Sequence, residues 1–459
     1  MTKVRYLVAF TLVAMFGLVQ QGHSAGFALI EQSVKGQGRA FAGEAAAAED
    51  ASTIWYNPAG LMNLCGTQVV NALHVVVPTA DYRDDGSLFQ KTFVPGSGPV
   101  DPTDVGPDQG DGETGRNGGV TGFVPNLYVA RVFDCGIALG LGINAPFGLE
   151  TEYTDTWTGR YHAIKSKMAS ANINPSVAWK LCDCLSVGAG FNMMFITTTL
   201  TNAVDGGLLF GGLNSFATVQ QSDFYAKLVG RGWGFGYNVG VLWDVDHCTR
   251  VGLAYRSKVV HHLHGDVEYR FAGNPLDDAI KLSGLFPDAG AKADVTLPGS
   301  LSLSAYHQWN ECVALLADVS WTHWHKLNEL RIRFNSIQAD SVNELDWSDN
   351  WRYSVGLNYR PYTCVTLRTG VAYETTPIPN KLHRTPRIPD NNRVWLSLGG
   401  GFDWSPCVHF DVAYTHLFVK DPKIDKSSFE LSEDIVKGGL LGHYDARTDI
   451  FALQGVLSF

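Results

Sequence analysis

The feature that most limits what this chain can become is the way its strand-like runs are joined. From Cys65 onward, segments with period-two alternation are separated by two unequal kinds of connection. Long polar or Gly-rich stretches lie near 83–120, 149–165, 201–231, 265–295, 331–345, 377–392 and 421–444. Between them fall tight turns near Phe133-Asp134, Cys182-Asp183, Asp244–His247, Trp309–Glu311, Pro361–Thr363 and Trp404–Pro406. Seven long and six short connections predict fourteen strands with both barrel ends on the short-turn side. Long loops on one side, short turns on the other and an even strand number describe an all-β transmembrane antiparallel barrel, whose closure leaves no unpaired edge in hydrocarbon. Beyond the first 24 residues no run is apolar over roughly 18 residues, so no helical span is expected.

The alternation is clearest in IFALQGVLSF, where Phe451, Leu453, Gly455, Leu457 and Phe459 share one face. Val394–Trp404, His409–Val419, Trp351–Tyr359 and Leu301–Trp309 read the same way. Trp233, Trp243, Trp309, Trp347, Trp351 and Trp404 stand toward strand ends, where aromatic girdles belong. Charged residues are 17% of the chain, against about 25% in soluble domains, as alternation between lipid and lumen requires. A net charge of −10 argues against a nucleic-acid partner.

Residues 1–24 read as a signal peptide: Lys3 and Arg5, an apolar run from Tyr6 to Val19, then small residues at Gly22-His23-Ser24. Residues 25–64 are rich in Gly and Ala and lack alternation. They predict a plug in the lumen of the barrel formed by 65–459, since irregular backbone at membrane depth survives only where protein or a cavity satisfies it. Within it, Asn57 caps a short helix with Pro58 at the first helical position and Ala59 next.

Seven cysteines (Cys65, Cys135, Cys184, Cys248, Cys312, Cys364 and Cys407) each open an ascending strand at the short-turn rim. Cys182 ends a descending strand, and Cys135–Cys182 is the intramolecular pair to test. His261, His262 and His264 lie near a loop and His323 and His325 share a strand face. Neither group has a carboxylate or Cys at ligand spacing, so no metal site is expected. No G-x-S-x-G and no Ser/His/acid constellation occurs, so no enzyme and no cofactor are expected.

GFALIEQSVKGQGRAFAGE, NPAGL, WGFGYNVGVLWDVD, VGLAYRSKV, TPIPNKLHRTPRIPDNNRVWLSLG and the last Phe459 together resemble the long-chain fatty acid transporter family of Gram-negative outer membranes (FadL/TodX type). The resemblance spans essentially the whole mature chain. It implies a fourteen-stranded barrel closed by an N-terminal hatch, passing hydrophobic molecules without energy input. Ligand would land between the third and fourth outer loops, move to a lumen site against the hatch, and leave sideways through the wall. Carried over by position, Phe27 touches the lumen site, Asn57, Pro58 and Ala59 form the hatch motif, and Glu374 stands near the hatch. Ala145, Pro146, Phe147 and Gly148 lie where the family's kinked strand opens a lateral gate, and Pro and Gly should break pairing there; with Pro146 near the outer end of its strand, a plain loop start is the equal alternative. Head-group positions fall on the uncharged Asn202 and Asn328, with Lys326 and Arg331 as substitutes, so neutral aromatic hydrocarbons stay open as cargo. Apolar residues support an outer groove: Leu208, Leu209, Phe210, Leu213 and Phe216 in the third loop, and Leu276, Ile280, Leu285 and Phe286 on a fourth-loop helix capped by Asn274-Pro275. The expected partners are a hydrophobic small molecule, outer-membrane lipid and, through Phe459, the barrel-assembly machinery. A monomer is expected; a cysteine-cross-linked structural porin is the other reading.

Overall fold

A computed structural model describes residues 26–90, 105–106, 117–210, 220, 222–274, 276–427, 431 and 434–459. The leader at 1–24 and the groove residues Leu213 and Phe216 lie outside the described residues.

Fourteen antiparallel strands close into one barrel. In chain order they are β1 (Thr67–Asp84), β2 (Gly122–Phe133), β3 (Ile137–Asn144 continued by Gly148–Glu152), β4 (Lys165–Cys182) and β5 (Leu185–Asp205). There follow β6 (Asp223–Asp244), β7 (Thr249–Arg256 and Val259–Arg270), β8 (Ala289–Leu297 and Ser300–Asn310) and β9 (Val313–Thr322 and Glu329–Phe334). The last five are β10 (Ser341–Glu344 and Asn350–Tyr362), β11 (Val365–Glu374), β12 (Arg393–Ser405), β13 (Val408–Val419 and Lys423–Asp425) and β14 (Leu441–Ser458). β1 pairs with β14 from Gln68↔Ser458 to Asp84↔Gly442, which seals the cylinder. Phe459 exchanges both backbone bonds with Thr67 at that seam.

Several long connections are shorter than the sequence suggests. β5 continues to Asp205 and β6 starts at Asp223, paired throughout from Leu185↔Trp243 to Asp205↔Asp223. Above the hydrocarbon both faces of a strand turn polar, so the hydropathy signal stops before the ladder does. Outward faces carry apolar and aromatic side chains, with Trp179, Trp233, Trp243, Trp309, Trp351 and Trp404 all exposed. Trp347 departs from the expected girdle. It is buried in the lumen, 2% exposed, because Asp346 takes a left-handed φ of 44° and breaks the alternation just before it.

Residues 26–64 contain only four short helical turns: α1 (Val34–Gln37), α2 (Glu44–Ala47), α3 (Thr53–Tyr56) and a 3-10 turn over Pro58–Asn63. Nearly all of this segment is buried against inward-facing wall residues. Polar contacts tie it there. Gln454 on β14 accepts from Val34 N and donates to Asp50, while Arg352 on β10 donates to Ala40 O at 2.9 Å. Arg39 sits between Glu44 at 2.6 Å and Glu49 at 2.8 Å. Such pairs are tolerated at depth because each charge is both matched and hydrogen-bonded.

Candidate functional site

Asn57 packs where the plug meets β5 and β6. Its Oδ1 accepts from Ala59 N at 3.1 Å, the cap expected from sequence, with Pro58 opening the 3-10 turn. Its Nδ2 donates to Ala45 O at 2.7 Å and to Val241 O on β6 at 3.0 Å. Gly188 and Gly240 make this approach feasible. A Cβ on Gly240 would stand 1.9 Å from Asn57 Oδ1, and one on Gly188 would stand 2.4 Å from Ala59 N.

At the other end of the plug, Phe27 is enclosed by aromatics. Its ring centroid lies 4.9 Å from Trp324, 5.7 Å from Trp347 and 6.2 Å from Phe147. Above this cluster is a cavity of about 90 Å³ whose walls include Phe27, Leu149, Leu200, Leu228, Leu263 and Ile332. A larger cavity of about 510 Å³, bounded by Leu209, Leu285 and Phe286 of the third and fourth outer loops, lies beyond it. The two share Leu200, Leu228, Ile332, Asn343 and Arg387, so they form one path from the loops to Phe27.

The remaining groove residues lie behind these, and Leu209 and Phe286 also pack on them. Phe210, Leu276 and Ile280 pack with Phe224 and hold the two loops together, and Leu208 is buried beside them. The expected Asn274 cap is replaced. The helix runs Asp277–Ser283, and Asp277 folds back to accept from the backbone N–H of Gly273 and Asn274.

The ladder between β2 and β3 is interrupted beside Phe27. β2 and β3 pair only as far as Leu127↔Ile143, and contact resumes at the Gly119↔Thr151 bridge. Between these rungs lie Ala145, Pro146, Phe147 and Gly148, and β3 turns inward to bond the plug instead. Leu29 N donates to Pro146 O at 2.8 Å and Gly148 N donates to Phe27 O at 2.9 Å. On the β4 side the register slips by one residue between Asn144↔Asn172 and Gly148↔Ala169, which is a bulge.

The sequence-based head-group residues are dispersed. Lys326 and Asn328 are exposed, and Arg331 is occupied by Glu329 and Asp340 outside the barrel. The alternation used to place them fails because Trp324–Lys326 is a 3-10 turn inside β9. Asn202 does border the larger cavity, although its Nδ2 is donated to Ala203 O. The cation at the junction of the two cavities is Arg387, whose Nη1 donates to Ser166 Oγ at 2.9 Å. Its place within the PRIPD run was the only available signal.

Below Phe27 the lumen becomes polar. Glu374 accepts from Trp395 Nε1 at 3.1 Å and lies 3.9 Å from Arg393. Glu31 in the plug is fully enclosed, and neither carboxylate oxygen has a hydrogen-bond partner among the described residues. Burial, reinforced by Glu374, pushes the Glu31 carboxyl up to about 8. On the short-turn side a polar cavity of about 610 Å³ reaches the rim, lined by Lys35, Glu49, Arg360, Arg368, Asp403 and His409 among others. All eight cysteines are exposed free thiols at that rim. Cys135 and Cys182 do not pair. Trp179 stands opposite Ile137, so Cys182 lies beyond the paired stretch, and its sulfur instead meets Cys184 at 3.0 Å across the turn.

Residues 16–459 match the family model described as outer membrane protein transport protein (OMPP1/FadL/TodX). Outer membrane protein P1 of Haemophilus influenzae is 32% identical over 416 residues, covering 86% of each chain. The long-chain fatty acid transport protein of Escherichia coli K12 is 27% identical over 464 residues, covering 94% of this chain and 95% of its own. A Pseudomonas aeruginosa FadL homologue of known crystal structure superposes with a TM-score of 0.83 at 23% identity, over 95% of this chain and all of that one, and so shares the fold. The chain belongs to the OMPP1/FadL/TodX family and is an outer-membrane transporter of Gram-negative bacteria, not an enzyme.

Proposed function

We propose that this chain carries long-chain fatty acids, or amphiphiles of like shape, from the outer loops to the Phe27 cavity and releases them sideways between β2 and β3. The observation that carries this reading is a contrast of chemistry along the lumen. The path from Leu285 and Phe286 to Phe27 is walled mainly by apolar side chains, with Lys167, Asp340, Arg387 and Lys437 among them, whereas the route past the plug to the short-turn side is lined mostly by polar and charged ones. An alkyl chain gains about 25 cal/mol for each Å² it buries on the first route and nothing comparable on the second. The β2–β3 window adjoins the end of the apolar path, so lateral release spares cargo the charged vestibule.

Arg387 is the residue we assign to the carboxylate end of the cargo, since it stands where the apolar cavities meet. The experiment is equilibrium binding of oleate and of toluene to the purified protein and to Arg387→Gln. The reading expects oleate affinity to fall at least tenfold with toluene unchanged. Equal loss for both, or tighter toluene than oleate binding by the parent protein, favours neutral hydrocarbon as cargo.

A second reading coexists with the first because eight exposed thiols sit on one rim. In the oxidising periplasm a rim thiolate can attack a disulfide of a neighbouring protein, forming a mixed disulfide and releasing the other sulfur as thiolate. Non-reducing gels of isolated outer membranes test this. Species above the monomer that collapse on reduction support cross-linking, and a monomer alone under both conditions dismisses it.

A further inference from the structure

His323, His325 and Asp349 converge on the outer surface of the wall at the loop end of β9 and β10, a grouping that spacing along the chain does not show. Donor atoms from the three side chains all lie within 4.8 Å of one another. The place is set by the ladder: Trp321 on β9 stands opposite Trp351 on β10, both facing lipid, and the three residues lie just beyond that rung. Asp349 is held in position by three donors. His325 N reaches its Oδ1 at 3.1 Å, His325 Nδ1 the same oxygen at 2.9 Å, and Trp321 Nε1 its Oδ2 at 3.2 Å. The two imidazoles face each other with centroids 3.9 Å apart. His323 Nε2 is enclosed and has no hydrogen-bond partner among the described residues.

We propose that these three residues form a binding site for a divalent transition-metal ion such as Zn²⁺. In a tetrahedral site with bonds of about 2.0–2.1 Å, donors stand roughly 3.3 Å apart, so turning the side chains closes the present spacing. Two imidazoles and one carboxylate suit zinc, nickel or copper. Calcium and magnesium prefer oxygen donors, six to eight of them for calcium, and this site offers one carboxylate. The fourth position is left for water.

Such a site has a consequence for the lumen. Trp324 lies between the two histidines, and Trp347 lies two residues before Asp349. Both tryptophans point inward, with centroids 4.9 Å apart, and hold Phe27. A metal ion clamping the outer ends of β9 and β10 therefore stiffens the inner wall of the ligand cavity.

The test is calorimetric titration of the full chain in detergent with Zn²⁺, the rim thiols blocked beforehand with N-ethylmaleimide here and in the Cu²⁺ measurement below, repeated for His325→Ala, Asp349→Asn and the control His262→Ala. The control removes another exposed His–Asp pair, His262 with Asp294. The proposal expects about one zinc per chain, affinity at least tenfold weaker in the first two variants, and no change in the control. Heat-modified gel mobility checks that each variant is folded. Should either test variant misfold, quenching of tryptophan fluorescence by Cu²⁺ in the parent protein, reversed by chelator, supplies the reading. Absence of zinc binding and of quenching, or equal binding by folded variants, overturns the site.

Discussion

Asn57 shows how a single side chain can hold a plug to a wall. One atom caps the 3-10 turn while another donates two hydrogen bonds, one of them to β6. Replacing it by Ala loses the cap, worth about 1 kcal/mol, and leaves Ala45 O and Val241 O short of a donor, each costing roughly another 1 kcal/mol. Asn57→Ala should therefore speed hydrogen exchange across residues 44–63 by an order of magnitude or more while the barrel stays protected. Gly240→Leu should do the same from the wall side, because its side chain needs the space Asn57 occupies. Glu31 adds a dependence on pH. Its value of about 8 in the packed plug compares with about 4.3 for a free Glu. Packing is thus favoured at low pH and loses this contribution as pH rises toward and through 8. Exchange in residues 26–43, corrected for its intrinsic pH dependence, should be faster at pH 9 than at pH 6, and Glu31→Gln should remove the difference.

Among the elements, the third and fourth outer loops combine holding with receiving. Phe210, Leu276 and Ile280 pin the loops together, Leu209 and Phe286 pack on them and also border the cavity, and Leu285 borders the cavity alone. Leu285→Asp should raise the ligand concentration needed for half-maximal uptake several-fold and leave the saturated rate little changed; a drop in the saturated rate alone would contradict a receiving role for Leu285. Much of this was legible from residue order. Alternation located the strands, the Gly/Ala-rich stretch located the plug, and Pro146-Phe147-Gly148 marked the break in β3. Parity failed wherever a turn interrupts a strand. The Trp324–Lys326 turn carried Lys326 and Asn328 off the lumen face, and the left-handed Asp346 swung Trp347 inward. Arg387 was missed because it meets Ser166 on a strand remote in sequence, and Asp349 because it meets His325 and Trp321 on the neighbouring strand and not along its own.

At the scale of the whole molecule, a mainly apolar upper lumen is separated by the plug from a more charged lower one, and the β2–β3 ladder is interrupted beside the upper part. The proposed lateral route predicts that bulky maleimide adducts on the rim thiols leave uptake unchanged, since on that route cargo bypasses the rim. The most direct measurement is uptake of radiolabelled oleate into proteoliposomes by a Pro146→Val/Gly148→Val variant, designed to let β3 pair with β2 across the window. The account predicts that this variant still binds oleate and that its uptake falls at least tenfold; uptake at the parent rate, with the ladder shown to be restored, would contradict lateral release.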